Sequence, residues 1–164
     1  LQNGFASGIR FKRKYDIVVM RHVLEHINAP KECLKNIFDC GLREGGMIYL
    51  KLPVYGSFEA RIFKKLWGGF DMPRHRVHFT KDGITKILKD IGYRDIKIRS
   101  EIVPTDFDRS IRYYQGHGGS RLIRFFLGLL CILPSIVRLI LYQSFLMLFF
   151  PLGPGRMIVV AKKG

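Results

Sequence analysis

A glutamate and three histidines carry most of the chemistry this sequence could do. His22, Glu25 and His26 lie in the stretch HVLEH, and His75 follows Pro73 and Arg74 a short way beyond Trp67. Imidazole exchanges its proton near neutral pH, so each histidine is a candidate acid or base. His26 is the one expected to do acid–base or substrate-orienting work; the bland alternative is a histidine packed under the next helix and hydrogen-bonded to backbone. Glu25 is expected to fix its turn through hydrogen bonds. Arg74 and His75 either position an anionic or hydroxyl-bearing acceptor or pin their own loop. His22-x-x-Glu25-His26 also spells the inverted zinc-protease pattern. That mechanism needs both histidines on one helix and a further ligand, whereas this stretch leaves a strand and runs into Pro30. No metal is expected.

The elements that must position these residues can be read outward from them. Residues 15–20 (YDIVVM) are apolar and rich in β-branched side chains, the composition of a strand buried on both faces. Pro30 suits a first helical turn, with Asn28 as its cap, and Leu34, Ile37, Phe38 and Leu42 share one helical face. Glu44-Gly45-Gly46 reads as a turn and residues 47–52 as a second strand. Strand, helix and strand with short connections require a right-handed crossover and a parallel pair. Ligands bind beyond the carboxyl ends of such strands. That places Met20, Arg21, His22, Glu25 and His26 on one rim, with Pro53 and Tyr55 after the second strand.

Downstream, Ser57 can cap a helix carrying Phe58, Ile62, Phe63, Leu66 and Trp67, stopped by Gly68-Gly69. Thr80 caps another, with Ile84, Ile87, Leu88 and Ile91 on one face and Gly92 as terminator. Residues 93–100 and 156–161 read as strands. Between them, residues 102–121 read as a polar connection in which Gln115 to Gly119 is a flexible link, and residues 122–152 are almost all apolar. Pro134 costs about 3 kcal/mol inside a helix, and Arg138 costs roughly 2.5–3.5 kcal/mol at a bilayer centre. Split at Pro134, the apolar pieces reach about 18 and 24 Å, short of a ~30 Å hydrocarbon core. The expectation is therefore a helical hairpin dipping into one leaflet; a lid or dimer interface is the alternative, ahead of a true span.

The ordered set YDIVVMRHVLEHINAP…GLREGGMIYLKLP, followed by DMPRH and the helix after HFT, resembles class I S-adenosylmethionine-dependent methyltransferases. It is most similar to the group that includes the ubiquinone-biosynthesis enzymes, over roughly residues 15–100 plus the last strand. The resemblance implies a partial Rossmann-like α/β sheet, mostly parallel with an antiparallel last strand at its edge, interrupted by the apolar hairpin. It implies S-adenosylmethionine as cofactor, with Met20, Arg21 and His22 near its sulfonium, and Pro53, Tyr55, Trp67, Arg74 and His75 on the acceptor side. Some quinone-pathway relatives carry an acid at the position of His22 and hold a divalent cation with it; an imidazole there suits magnesium less. The family's glycine-rich donor turn is missing, so the sequence reads as the carboxyl-terminal part of a longer enzyme, inactive alone; a complete small α/β protein with an unusual start is the alternative. The expected division is 1–101 with 156–164 for the methyltransferase part, and 102–155 for linker and hairpin.

The 164 residues carry a net charge of +15, which draws polyanions. No nucleic-acid motif accompanies the charge, and the apolar stretch turns the expectation from nucleic acid to a membrane surface. Three dispersed cysteines argue against a disulfide framework and fit a reducing, cytoplasmic setting. The expected acceptor is a small or lipid-like molecule, with the protein peripheral or monotopic at the membrane. Two other readings stand beside it: a non-catalytic membrane or interaction module derived from a methyltransferase, and a nucleic-acid methyltransferase.

Overall fold

The computed structural model of the chain describes residues 10–116, 120–134, 137, 138, 140, 141, 144 and 153–164. In chain order the elements are β1 (Tyr15–Arg21), α1 (Pro30–Asn36), β2 (Leu42–Pro53), α2 (Phe58–Phe63), α3 (Lys81–Ile91), β3 (Tyr93–Glu101), α4 (Pro104–Gly116), α5 (Arg121–Ile132) and β4 (Arg156–Lys163). They form two compact units, one of Leu1–Pro53, Met72–Arg99 and Met157–Gly164, the other of Val54–Asp71 and Ser100–Arg156. The stretch Val54–Asp71, grouped with the sheet on sequence grounds, clusters with the second unit.

The sheet has four strands in the order β1-β2-β4-β3. β1 and β2 are parallel, Val18 opposite Ile48 and Met20 opposite Leu50, as the strand–helix–strand pattern requires. β4 runs against β2: the Val54 N–H donates to the Gly155 carbonyl at 2.8 Å before β4 begins, while Lys163 Nζ at its far end reaches the Leu42 carbonyl at 3.4 Å. The last strand is thus antiparallel, but it inserts between β2 and β3 instead of lying at an edge. Strand order is a matter of pairing across the sheet, for which no local residue pattern exists.

Local signals account for most helix ends. Thr80 Oγ1 accepts from the Gly83 N–H at 3.0 Å and Gly92 closes α3 with a φ of 114°. Pro30 opens α1, but Asn28 is not its cap: Ala29 holds that place, and Asn28 Oδ1 accepts from Arg76 instead. A wider, π-type turn over Ile37–Gly41 ends the helical stretch before Leu42, which begins β2. Glu44, Gly45 and Gly46 lie inside β2 and not in a turn. They absorb the register shift between Tyr15 and Ile17, with Gly45 at φ 72°. The buried set of this unit includes Leu34, Ile48, Leu50, Ile84, Leu88 and Val159, each side chain contributing about 1.5–3 kcal/mol. β1 departs from the expected double burial. Met20 is buried, but Ile17 is 52% and Val19 57% exposed, because among the described residues nothing covers that face.

In the second unit Ser57 caps α2, its Oγ accepting from the Ala60 N–H at 3.2 Å, and Ala60, Phe63, Trp67 and Ile111 form a core. α2 stops at Phe63, before the glycines, and Lys64 turns with a φ of 49°. The expected polar connection after Ile102 is instead the helix α4. Ser110 ties it to the preceding segment by accepting from the Gly68 N–H at 2.8 Å, and Arg156 Nη2 donates to Asp106 at 2.6 Å. α5 ends at Ile132, and the Val137 and Arg138 N–H groups return to the Pro134 carbonyl in a new turn. Residues 135, 136, 139, 142, 143 and 145–152 of the expected hairpin, and His117 to Gly119, lie outside the described residues.

Candidate functional site

Two structural facts build the rim at the end of β1. The parallel register brings Arg21 level with Lys51, and the His22 N–H donates to the Lys51 carbonyl at 3.1 Å. The chain therefore leaves β1 two residues short of Pro53, the end of β2. His22 sits in left-handed backbone conformation, φ 53°, uncommon for a residue with a Cβ and a recurrent mark of functional turns. A single 3-10 turn, Leu24–His26, follows. Its backbone is locked to the loop before α3, since the Glu25 carbonyl accepts from Arg76 N–H at 2.8 Å and Val77 N–H at 3.2 Å.

These links gather the expected residues. Glu25, 0% exposed, lies under the turn; its Oε1 is 3.2 Å from His22 Nδ1 and 4.0 Å from His75 Nε2. His26 and His75 meet edge to face, ring centroids 4.8 Å apart. His26 Nδ1 lies 2.8 Å from the Arg74 carbonyl. A carbonyl only accepts, so Nδ1 carries the hydrogen, and in the neutral ring Nε2 keeps its lone pair. His26 is exposed and His75 buried. Donor atoms of Glu25, His26 and His75 lie within 4.8 Å of one another, a spacing a single cation could bridge.

Glu25 is the residue that sequence reasoning undervalued. It does brace the turn, yet its Oε2 is buried with no hydrogen-bond partner among the described residues. A fully buried carboxylate is rare unless paired, and the His-x-x-Glu-His spacing was the available signal.

Met20 is buried on β1, Arg21 exposed at its tip, and Arg74 exposed beside His26. Tyr55 and Trp67 belong to the second unit. Tyr55 is exposed and borders, with Phe70, Arg61, Lys64 and Lys65, an open hollow of about 490 Å³. Trp67, expected to meet substrate, is instead a core residue, 1% exposed, its Nε1 donating to Glu59 Oε2 at 3.3 Å. Helical spacing does not distinguish a ring that faces a cleft from one that faces a core. Burial pushes the Glu59 carboxyl up to about 7; Asp106 adds to the rise, while hydrogen bonds from Trp67 and Gly155 and the charge of Arg156 oppose it.

The family follows from the match to a model described as a methyltransferase domain, which covers residues 3–98. The chain belongs to this methyltransferase-domain family. No curated protein matches it. Solved structures share the fold of this methyltransferase domain at low identity. A SAM-dependent methyltransferase from Thermotoga maritima is 11% identical with a TM-score of 0.58, covering 98% of this chain and 62% of its own. One from Archaeoglobus fulgidus is 19% identical with a TM-score of 0.55, covering 97% and 63%. The chain thus spans a little over three fifths of the length of either. Phosphoethanolamine N-methyltransferase 2 of Haemonchus contortus, solved in complex with S-adenosyl-L-methionine, is 16% identical with a TM-score of 0.51, covering 96% and 35%.

Proposed function

We propose that this methyltransferase domain takes part in methyl transfer from S-adenosylmethionine to an oxygen, nitrogen or carbon of a small or lipid-like acceptor, at the rim where β1 and β2 end. The observation that carries the reading is the His26 hydrogen bond to the Arg74 carbonyl, which leaves Nε2 basic on an exposed edge. Met20, Arg21 and His22 would line the pocket near the donor's sulfonium. The residues fit a cationic sulfonium: the unpartnered Glu25 Oε2 puts uncompensated acceptor capacity beneath the turn. When bound, the cofactor supplies an already activated methyl group.

The chain's own contribution is alignment and proton handling. Pro53 closes one side of the rim, while Arg74 and His75 orient the acceptor. His26 Nε2 takes the acceptor's proton, a role worth typically 10²–10⁴ in rate. Glu25 keeps His22 and His75 in register from below. The rival is a non-catalytic module built on the same fold, which would not bind the cofactor.

Calorimetric titration of the whole protein with S-adenosylhomocysteine separates the two. Micromolar binding, with His26→Gln leaving affinity unchanged but cutting labelled-methyl incorporation into a cell extract by 10² or more, is the expected result. Absence of any binding would favour the module. Full incorporation by His26→Gln would remove the base.

A further inference from the structure

We propose that the outer face of α5 seats on the surface of an anionic phospholipid bilayer. A helix of a globular unit needs one apolar stripe to pack. α5 has two. Its inner stripe, Ile123, Leu127 and Leu130, lines an apolar cavity of about 490 Å³ together with Phe63, Ile111 and Leu141. The outer stripe is Leu122, Phe125, Phe126 and Leu129, at i, i+3, i+4 and i+7. Each of these is more than half exposed, and Ile132 extends the stripe at 79% exposure. Contiguous apolar surface of this kind marks a binding face.

Charge decides the occupant. Beyond Asp108 every formally charged side chain is Lys or Arg, through to Gly164. Asp106 and Asp108, the last acids, are each held by an arginine, Arg156 and Arg138. α5 itself carries no acid, and Arg121 and Arg124 occupy its first turn. The positive end of the helix dipole already lies there, so in water these two charges are repelled. A layer of lipid phosphates converts that repulsion into attraction.

Geometry sets the mode of contact. Twelve residues give about 18 Å of helix against a ~30 Å hydrocarbon core. No helix among the described residues is long and apolar enough to cross a membrane. A short helix with Phe and Leu on one side and arginines at its start lies in the interface, its apolar side in the acyl boundary. The outer stripe also lacks polar groups at its centre that would fix register on a folded partner. This inference is independent of the β1 rim.

The test is flotation of the whole protein with phosphatidylserine–phosphatidylcholine vesicles and with phosphatidylcholine alone, alongside gel filtration without lipid. The mixed vesicles should bind at least about tenfold more protein at 0.15 M salt than the neutral ones. Phe125→Ser/Phe126→Ser should lower partition by roughly tenfold or more on both. Arg121→Gln/Arg124→Gln should lower it by a similar factor only on the anionic vesicles. Circular dichroism and the fluorescence of Trp67, in the core of the unit, report whether each variant keeps its fold. Folded wild-type protein that ignores vesicles, or a folded Phe125/Phe126 variant that binds undiminished, would overturn the proposal. So would vesicle-independent dimerisation lost in that variant, which would assign the stripe to a second copy.

Discussion

Replacing Glu59 by glutamine should make the second unit more stable above neutral pH and remove most of its pH dependence. Glu59 is almost wholly buried beside Trp67 and Gly155, and its carboxyl is held at about 7 against an ordinary 4.5, with desolvation as the leading cause. A raised carboxyl binds its proton more tightly in the folded state. Its stabilising effect is therefore complete below about pH 4.5 and is lost as pH climbs through 7. The rise from 4.5 to about 7 sets the loss at about 3 kcal/mol, most of it between pH 5 and 8. Glutamine keeps an acceptor for Trp67 Nε1 and never ionises. The chain's single tryptophan is Trp67 itself, so urea unfolding followed by its fluorescence reads this unit directly. With a urea slope of about 1–3 kcal/mol per molar, the wild-type midpoint should fall by roughly 1–3 M from pH 5 to 8. The Glu59→Gln midpoint should stay nearly level and lie above wild type at pH 8. Parallel pH profiles for the two proteins would refute the burial argument.

Other expectations are simpler. Thr80→Ala removes the hydroxyl that accepts from Gly83 and should cost about 1 kcal/mol in denaturant melts. Gly92→Ala forces a side chain onto a φ of 114° and to within 3.2 Å of Phe38, and should cost about 1 kcal/mol or more by the same measurement. Leu88→Ala, fully buried on α3, should cost about 2–5 kcal/mol. Cys40 is exposed, whereas burial shields Cys33 and pushes its thiol up. A thiol reagent should therefore label Cys40 in the native protein and Cys33 only on unfolding.

Legibility in the sequence followed the range of the physics. Thr80 and Gly92 bracket α3 because capping is decided within four residues, and Ser57 does the same for α2. The parallel β1–β2 pair was readable because connection length and handedness leave few options. Gly45 and Gly46 misled: a glycine pair signals a turn and a strand irregularity equally well, and the partner strand decides. α4 was hidden under polar residues: among its described side chains, Ile111 and Tyr114 are the apolar ones that join the core, set in a charged stretch. Trp67 and Glu25 show the same limit at the site. What a side chain can do is written in its type, but whether it faces core or cleft depends on elements far along the chain.

β4 lies between β2 and β3, although Glu101 ends β3 and Arg156 begins β4. During synthesis, then, β3 emerges and waits for more than fifty further residues before β4, its neighbour in the sheet among the described residues, exists. Assembly of this half of the sheet is necessarily late and long-range, and an open strand edge persists until the ribosome has nearly finished this stretch. Deleting residues 156–164 would not merely trim the sheet; it would cut it in two.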